Sequence, residues 1–294
     1  MKKQTAITLL IFVTLIWGGG YVATKLALDA GVSAGILNVI RGLVFSILVF
    51  AFFPNAVFSM HKEQLKNALF VGLFNSLGFI FQATGAMLTT PSNSSFLTTT
   101  NVVMVPFLAW ALLKTKPKAR NLLAVAVCIS GMAVLTGILG TDFVLNVGDI
   151  YTILGAFFFA LSIVLLAKQP TGGHFAASAF VMGVTLFIGG ALYAIFVEQA
   201  TIAAIDWKHA IMPILYLAVG SNFVSQSLQI IAQRHISAST ASLIMMLEGV
   251  FGSIFSIIWG FEKFTVNLVV GGGLILCSLV ISEMPVLKKK KDNM

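Results

Sequence analysis

The segment SLIMMLEGVFGSIFSIIWG, residues 242–260, is apolar and long enough to cross a bilayer, yet it places a carboxylate, Glu248, near its middle. Counted from the start of its apolar run, Glu248 lies on the order of 16 Å deep at a helical rise of about 1.5 Å per residue. An acid at that depth marks a transport pathway, a proton relay or the counter-ion of a cationic substrate. The competing reading is a carboxyl that only hydrogen-bonds a neighbouring helix, and the two roles can coexist. Glu248 is the one acidic residue deep within any apolar run.

Two cations also fall inside apolar runs. Lys25 lies close to the end of its run, where a long side chain can snorkel to the interface. Arg41 lies deeper, on the order of 10 Å from the nearer end, and suits either an anionic substrate group or a carboxylate partner. Trp17 stands beside Gly18, Gly19 and Gly20, with Tyr21 about one turn on. Three glycines bare the backbone for close packing or for a mobile, substrate-facing segment, and the indole can either wall a cation or ring or fill a neighbour's groove. Asn222, Gln226, Gln229 and Gln233 recur at the spacing of one α-helical face. Asn75 and Gln82 repeat half of that stripe, and Ser94, Thr98 and Asn101 form another. So many amides exceed what interhelical hydrogen bonds need and favour a wet cavity lining. The expected lining is Trp17, Tyr21, Asn75, Asn101, Asn222, Gln226 and Glu248, with Glu248 as the coupling group and Arg41 or Lys25 as its charge partner. Phe157 to Phe159, Met245 and Met246 are expected to face lipid or core.

These residues must be carried by membrane helices. The chain has 294 residues, 58% hydrophobic and 10% charged, with a mean hydropathy of +0.99, whereas soluble chains carry about 25% charged residues. Apolar runs are predicted at 5–28, 34–53, 66–88, 91–113, 119–138, 146–167, 174–197, 209–233, 237–259 and 263–284. The first is read as a retained helix rather than a signal peptide. The formal charge of +8 lies on alternate loops, with Lys2, Lys3, Lys62, Lys66, Lys114, Lys116, Lys118, Arg120, Lys168, Arg234 and Lys288 to Lys291 on one side and Lys208 and Lys263 on the other. Both termini are therefore expected in the cytoplasm, and the basic balance speaks for topology rather than for nucleic acid. Cys128 and Cys277 lie within apolar runs without a CxxC or Cys/His cluster, so neither a disulfide framework nor a metal is expected.

The chain also repeats itself. A shift of 147 residues carries Asn75 onto Asn222, Gln82 onto Gln229, Ser92 onto Ser239, Ser95 onto Ser242 and Asn101 onto Glu248. Two halves, 1–145 and 146–294, would each hold five spans, and an odd number makes the repeat inverted. LIWGGGYVATKLAL at 15–28, LNVIRGLV at 37–44, TPSNSSFLTTTN at 90–101 and SASTASLIMMLEGVF at 237–251 resemble the EamA repeats of the drug/metabolite transporter superfamily. The resemblance implies an all-α polytopic membrane protein, ten transmembrane helices as two inverted five-helix repeats. It also implies secondary transport of small metabolites such as amino acids, amines or drugs, with efflux favoured, no cofactor, and a monomer or homodimer in the cell membrane. Where the family places proline after the ninth-helix glutamate, this chain has Gly249, and the first half has Val102 after Asn101 with a proline only at Pro106. Glu248, Trp17 and Tyr21 would equally suit uptake of an amine or quaternary ammonium compound. A membrane-embedded enzyme is disfavoured, since the histidines lie in loops or at span ends and HExxH and GxSxG are absent. No GxxxxGK[ST] loop is present to power transport with nucleotide.

Overall fold

The computed structural model describes residues 1–135, 146–168 and 173–283. Residue 145, at which the sequence divides into halves, and the basic run Lys288 to Lys291 lie outside the described residues. Among the described residues the regular structure is helical throughout. The first half contains α1 (Lys3–Asp29), α2 (Ala34–Phe52), the short α3 (Pro54–Phe58), α4 (Lys62–Ala86), α5 (Pro91–Thr99), α6 (Asn101–Leu113) and α7 (Ala119–Leu135). The second contains α8 (Val147–Leu166), α9 (Phe175–Phe196), α10 (Trp207–Leu215), a π-helical segment (Tyr216–Gln226), α11 (Ser227–Gln233), α12 (Ala238–Met245), α13 (Leu247–Ile258) and α14 (Val266–Glu283). Counting α5–α6, α10–α11 and α12–α13 as continuous rods, eight elements are long and apolar enough to cross a membrane. The fifth and tenth runs supply shorter apolar helices, Ala119–Val134 and Val269–Ser278. The ten expected runs thus divide into eight of spanning length and two shorter ones.

Caps set several helix starts. Ser33 accepts from the Ile36 amide, Thr90 from Asn93, Asp206 from His209 and Ser237 from Thr240, and each satisfies a donor that the first turn leaves open. Asn146 and Asp149 form a reciprocal capping box. Thr90 and Ser237 are themselves 147 residues apart. The rods they open both break near mid-length, at Thr100 and at Met246, so that Asn101 and Glu248 stand at the start of the second segment. Neither break needs the proline that the family places after the glutamate.

The helices pack across the halves. Helix α2 lies along α9, and α7 along α14. Helix α4 packs on α8 and α9, while the rod from α10 through α11 packs on α1 and its π segment on α2. Helix α1 meets α13, as α8 meets α5 and α6. Each of these contacts has a counterpart with the halves exchanged.

Two buried apolar clusters lie at opposite ends of the bundle. One, at the end bearing the N-terminus, joins Leu10, Val105, Ala109, Val164, Ala241 and Met245. The other joins Ala27, Ile36, Leu37, Ile205, Ile214 and Leu217.

The three glycines of α1 divide their work. A Cβ at Gly18 would stand 2.5 Å from Phe251 Cβ and 2.9 Å from the Gly252 nitrogen, and one at Gly19 would stand 2.5 Å from Tyr216 Oη. At Gly20 the nearest atom, Leu217 Cδ2, is 3.6 Å away. Close approach of α1 to α13 is therefore the physical demand at Gly18. Gly18→Ala should destabilise the protein by about 1–3 kcal/mol through overpacking against backbone, whereas Gly20→Ala should be neutral or gain up to about 1 kcal/mol in helix propensity. Thermal unfolding of the two variants in detergent checks the contrast, and equal stabilities would contradict this packing.

Candidate functional site

A cavity of about 60 Å³ lies between the two apolar clusters, lined by residues of α1, α2, α4, α5, α6, α8, the rod from α10 to α11, α12 and α13. It has room for roughly four waters at ~15 Å³ of probe volume each. Ile163 and Met245 belong to one cluster and Leu217 to the other, and all three border the cavity. Apolar packing thus borders the space toward both ends.

Its carboxylate is Glu248, 5% exposed, at the first turn of α13 where an acid suits the helix dipole. Tyr21 donates to Glu248 Oε1 at 3.2 Å. Gln82 Nε2 in turn donates to Tyr21 Oη at 3.3 Å and to Thr98 Oγ1 at 3.1 Å, and Thr98 donates to the Ser94 carbonyl. Glu248 Oε2 has no protein donor among the described residues. Across the cavity Gln226 Nε2 reaches Asn75 Oδ1 at 3.4 Å, while Gln226 Oε1 is buried without a partner.

The cation is Arg41, 2% exposed. Its Nε donates to Asn222 Oδ1 at 2.7 Å, and its guanidinium carbon lies 4.2 Å over the Phe79 ring. Phe79 is held from the same helix face, because Asn38 Nδ2 donates to the Phe79 carbonyl at 3.3 Å. Phe159 meets Phe79 edge to face at 5.0 Å and borders the same cavity.

Trp17, Tyr21, Asn75, Asn101, Gln226 and Glu248 all border this space, and so does Arg41. Three expected residues, Asn222, Gln233 and Lys25, stand elsewhere. Asn222 lies behind Arg41 rather than on the cavity wall. The α-helical spacing puts Asn222 in line with Gln226 and Gln229, but Tyr216–Gln226 is a π-helix, whose wider turns rotate each residue less. Gln233 is buried outside the cavity with neither amide atom partnered among the described residues. Lys25 pairs with Asp29 at 3.1 Å near the end of α1 and does not meet Glu248, as its short distance from the interface allows. Trp17 uses its indole as well as its ring: Nε1 donates to the Ser221 carbonyl at 3.0 Å, and Tyr216 Oη donates to the Ile16 carbonyl at 2.7 Å. These two bonds fasten α1 to the π segment.

Phe79 and Phe159 join the site although the sequence analysis does not place them there; Phe159 is neither lipid-facing nor purely core. Phe79 was within reach of sequence reasoning, because Asn75, Phe79 and Gln82 share one helical face and the shift of 147 carries Phe79 onto Gln226. For Phe159, within a run of three phenylalanines, no sequence signal separates the cavity-facing ring from its neighbours.

The model of the EamA-like transporter family matches residues 4–137 and again 146–284. The chain belongs to the EamA-like transporter family. It is a polytopic membrane transporter, and the two family matches meet across the cavity. An uncharacterized transporter of Archaeoglobus fulgidus is 30% identical over 286 residues, covering 97% of this chain and 88% of that protein. The uncharacterized transporter YoaV of Bacillus subtilis is 24% identical over 293 residues, covering 96% and 97%. A protein solved as a crystal structure shares the fold with a TM-score of 0.76 at 14% identity, covering 96% of this chain and 97% of its own.

The network around the carboxylate supplies a direct check. Tyr21→Phe removes both the donor to Glu248 and the acceptor for Gln82, and should lower stability by about 0.5–1.5 kcal/mol. Thermal unfolding in detergent measures it, and an unchanged midpoint would mean that these bonds do not form.

Proposed function

We propose that this EamA-like protein is a secondary transporter, not an enzyme, in which residues 1–145 and 146–294 are inverted repeats that rock about the cavity. The observation that carries this reading is a cavity lined from both family-matched halves, bordered by apolar packing toward both ends, with a carboxylate oxygen left open inside it. A space of about 60 Å³ is far below the roughly 300 Å³ at which ordinary ligand pockets begin, so admitting the substrate requires the surrounding helices to part. The paired breaks at Thr100 and Met246 and the exchanged contacts between the halves support the repeat.

Glu248 is the coupling group. A carboxyl that exchanges a proton for the substrate links the two ligands thermodynamically. Where protons run inward down their gradient, such exchange drives the substrate outward, so the direction is export. The substrate is a small metabolite of amino-acid, amine or drug-like type.

Two measurements test this reading. In liposomes loaded with a pH-sensitive dye, a mixture of the twenty proteinogenic amino acids and common biogenic amines should evoke proton flux through the wild-type protein. Glu248→Gln, which keeps shape but not titration, should abolish it; an unchanged flux in the folded variant removes Glu248 from coupling. For orientation, cysteines at the exposed positions Lys116 and Lys263, introduced into a Cys277→Ser background, should label from opposite sides of intact cells. Lys116 should react only after permeabilisation. Reaction of both from outside would overturn the topology.

A further inference from the structure

We infer that Arg41 is an anion-binding residue of this cavity and that the substrate is amphoteric, bearing a carboxylate that sits on the guanidinium and a protonated amine that sits on Glu248. The inference rests on the cavity being the transport site proposed above.

Four observations carry it. Arg41 and Glu248 border one cavity, yet among the described residues neither forms an ion pair with the other or with any third residue. Arg41 spends Nε on a neutral amide and one ring face on Phe79, and both contacts orient the planar fork without neutralising it. Its two terminal nitrogens have no protein acceptor among the described residues and are left to the cavity, where they match the two oxygens of a carboxylate. Glu248 Oε2 is likewise open, and Gln226 Oε1 on the same cavity's lining is a second acceptor without a donor among the described residues.

Charge decides the class of ligand. A buried, uncompensated charge is strongly unfavourable. A simple cation would satisfy Glu248 and be repelled by Arg41, and a simple anion would do the reverse. A molecule carrying both charges satisfies both walls, while Phe79 and Phe159 offer an apolar surface to the remainder of the molecule.

The test uses the purified protein and matched triads: each proteinogenic amino acid, the amine lacking its carboxylate and the acid lacking its amine. Binding is read as ligand-dependent thermal stabilisation. At least one amino acid should stabilise the wild type more than both of its truncated partners. Arg41→Gln should weaken that amino acid by about 10- to 100-fold, the worth of a charged hydrogen bond, and change the amine by less than about twofold.

Should Arg41→Gln fail to fold, Asn222→Asp decides alone. It keeps the shape of a side chain outside the cavity wall and places a carboxylate against Arg41 Nε, so it should remove the preference for the amino acid over its amine. The inference is overturned if no amino acid stabilises the wild type, if an amine binds as tightly as its parent, or if the folded variants keep the wild-type preference. A flat triad series with proton flux still sensitive to Glu248→Gln would remove the anion site and leave the transport reading standing. Graded triads without any substrate-dependent proton flux would do the opposite.

Discussion

Hydrocarbon offers no hydrogen bonds, and the rest of this structure follows from that constraint. Every polar group between the two interfaces must find a partner inside the protein or face an internal space. The run SNSSFLTTT shows how the constraint is met locally. Ser95, Thr98, Thr99 and Thr100 each turn a hydroxyl back onto a carbonyl three or four residues earlier, at 2.6–2.8 Å. A stretch that would read as a polar loop in a soluble protein therefore forms a buried helix, and the break at Thr100 comes at the end of three satisfied hydroxyls.

The charged groups left over after such local satisfaction collect in one place. Glu248, Arg41, Gln226 and the Tyr21–Gln82–Thr98 chain converge on the cavity because no single helix can neutralise them. Close packing around the cavity then depends on small residues. Gly18 and Gly252 let α1, α5 and α13 touch, and Ser92 bonds Ser253 at 2.8 Å between α5 and α13. Such seams let the backbones approach closely, which is how helices gain packing contact within a membrane. The turns of the π segment hold an extra residue each, and its carbonyl at Ser221 is tied to Trp17, so a change of register there would be felt directly at the aromatic wall.

The legible part of the site consists of residues whose chemistry contradicts their surroundings. Glu248, Asn75, Asn101 and Gln226 stand out because polar groups are rare at membrane depth, and Trp17 because tryptophan normally gathers at interfaces. All of them border the cavity. Residues whose role is ordinary apolar chemistry in a special position do not stand out. Phe159 is indistinguishable in sequence from Phe157 and Phe158, although Phe157 is exposed and Phe158 stacks on Phe74 and Phe81. Lys25 and Arg41 are both cations inside apolar runs and differ in sequence only by depth; the shallower one reaches Asp29 near the surface and the deeper one turns inward.

From the sequence alone came the class of solvent, the number of apolar runs, the internal shift of 147 residues, the family resemblance and the carboxylate at mid-depth. These rest on composition and local periodicity, which a linear string carries. Tertiary structure alone decided that Asn222 steps behind Arg41, that Phe79 and Phe159 complete the wall, and that Gly18 is closed off while Gly20 is not. Each of those outcomes depends on the rotation of one helix against another. The π-helical turns of Tyr216–Gln226 set that rotation through packing across the two halves, which no spacing within a single segment encodes.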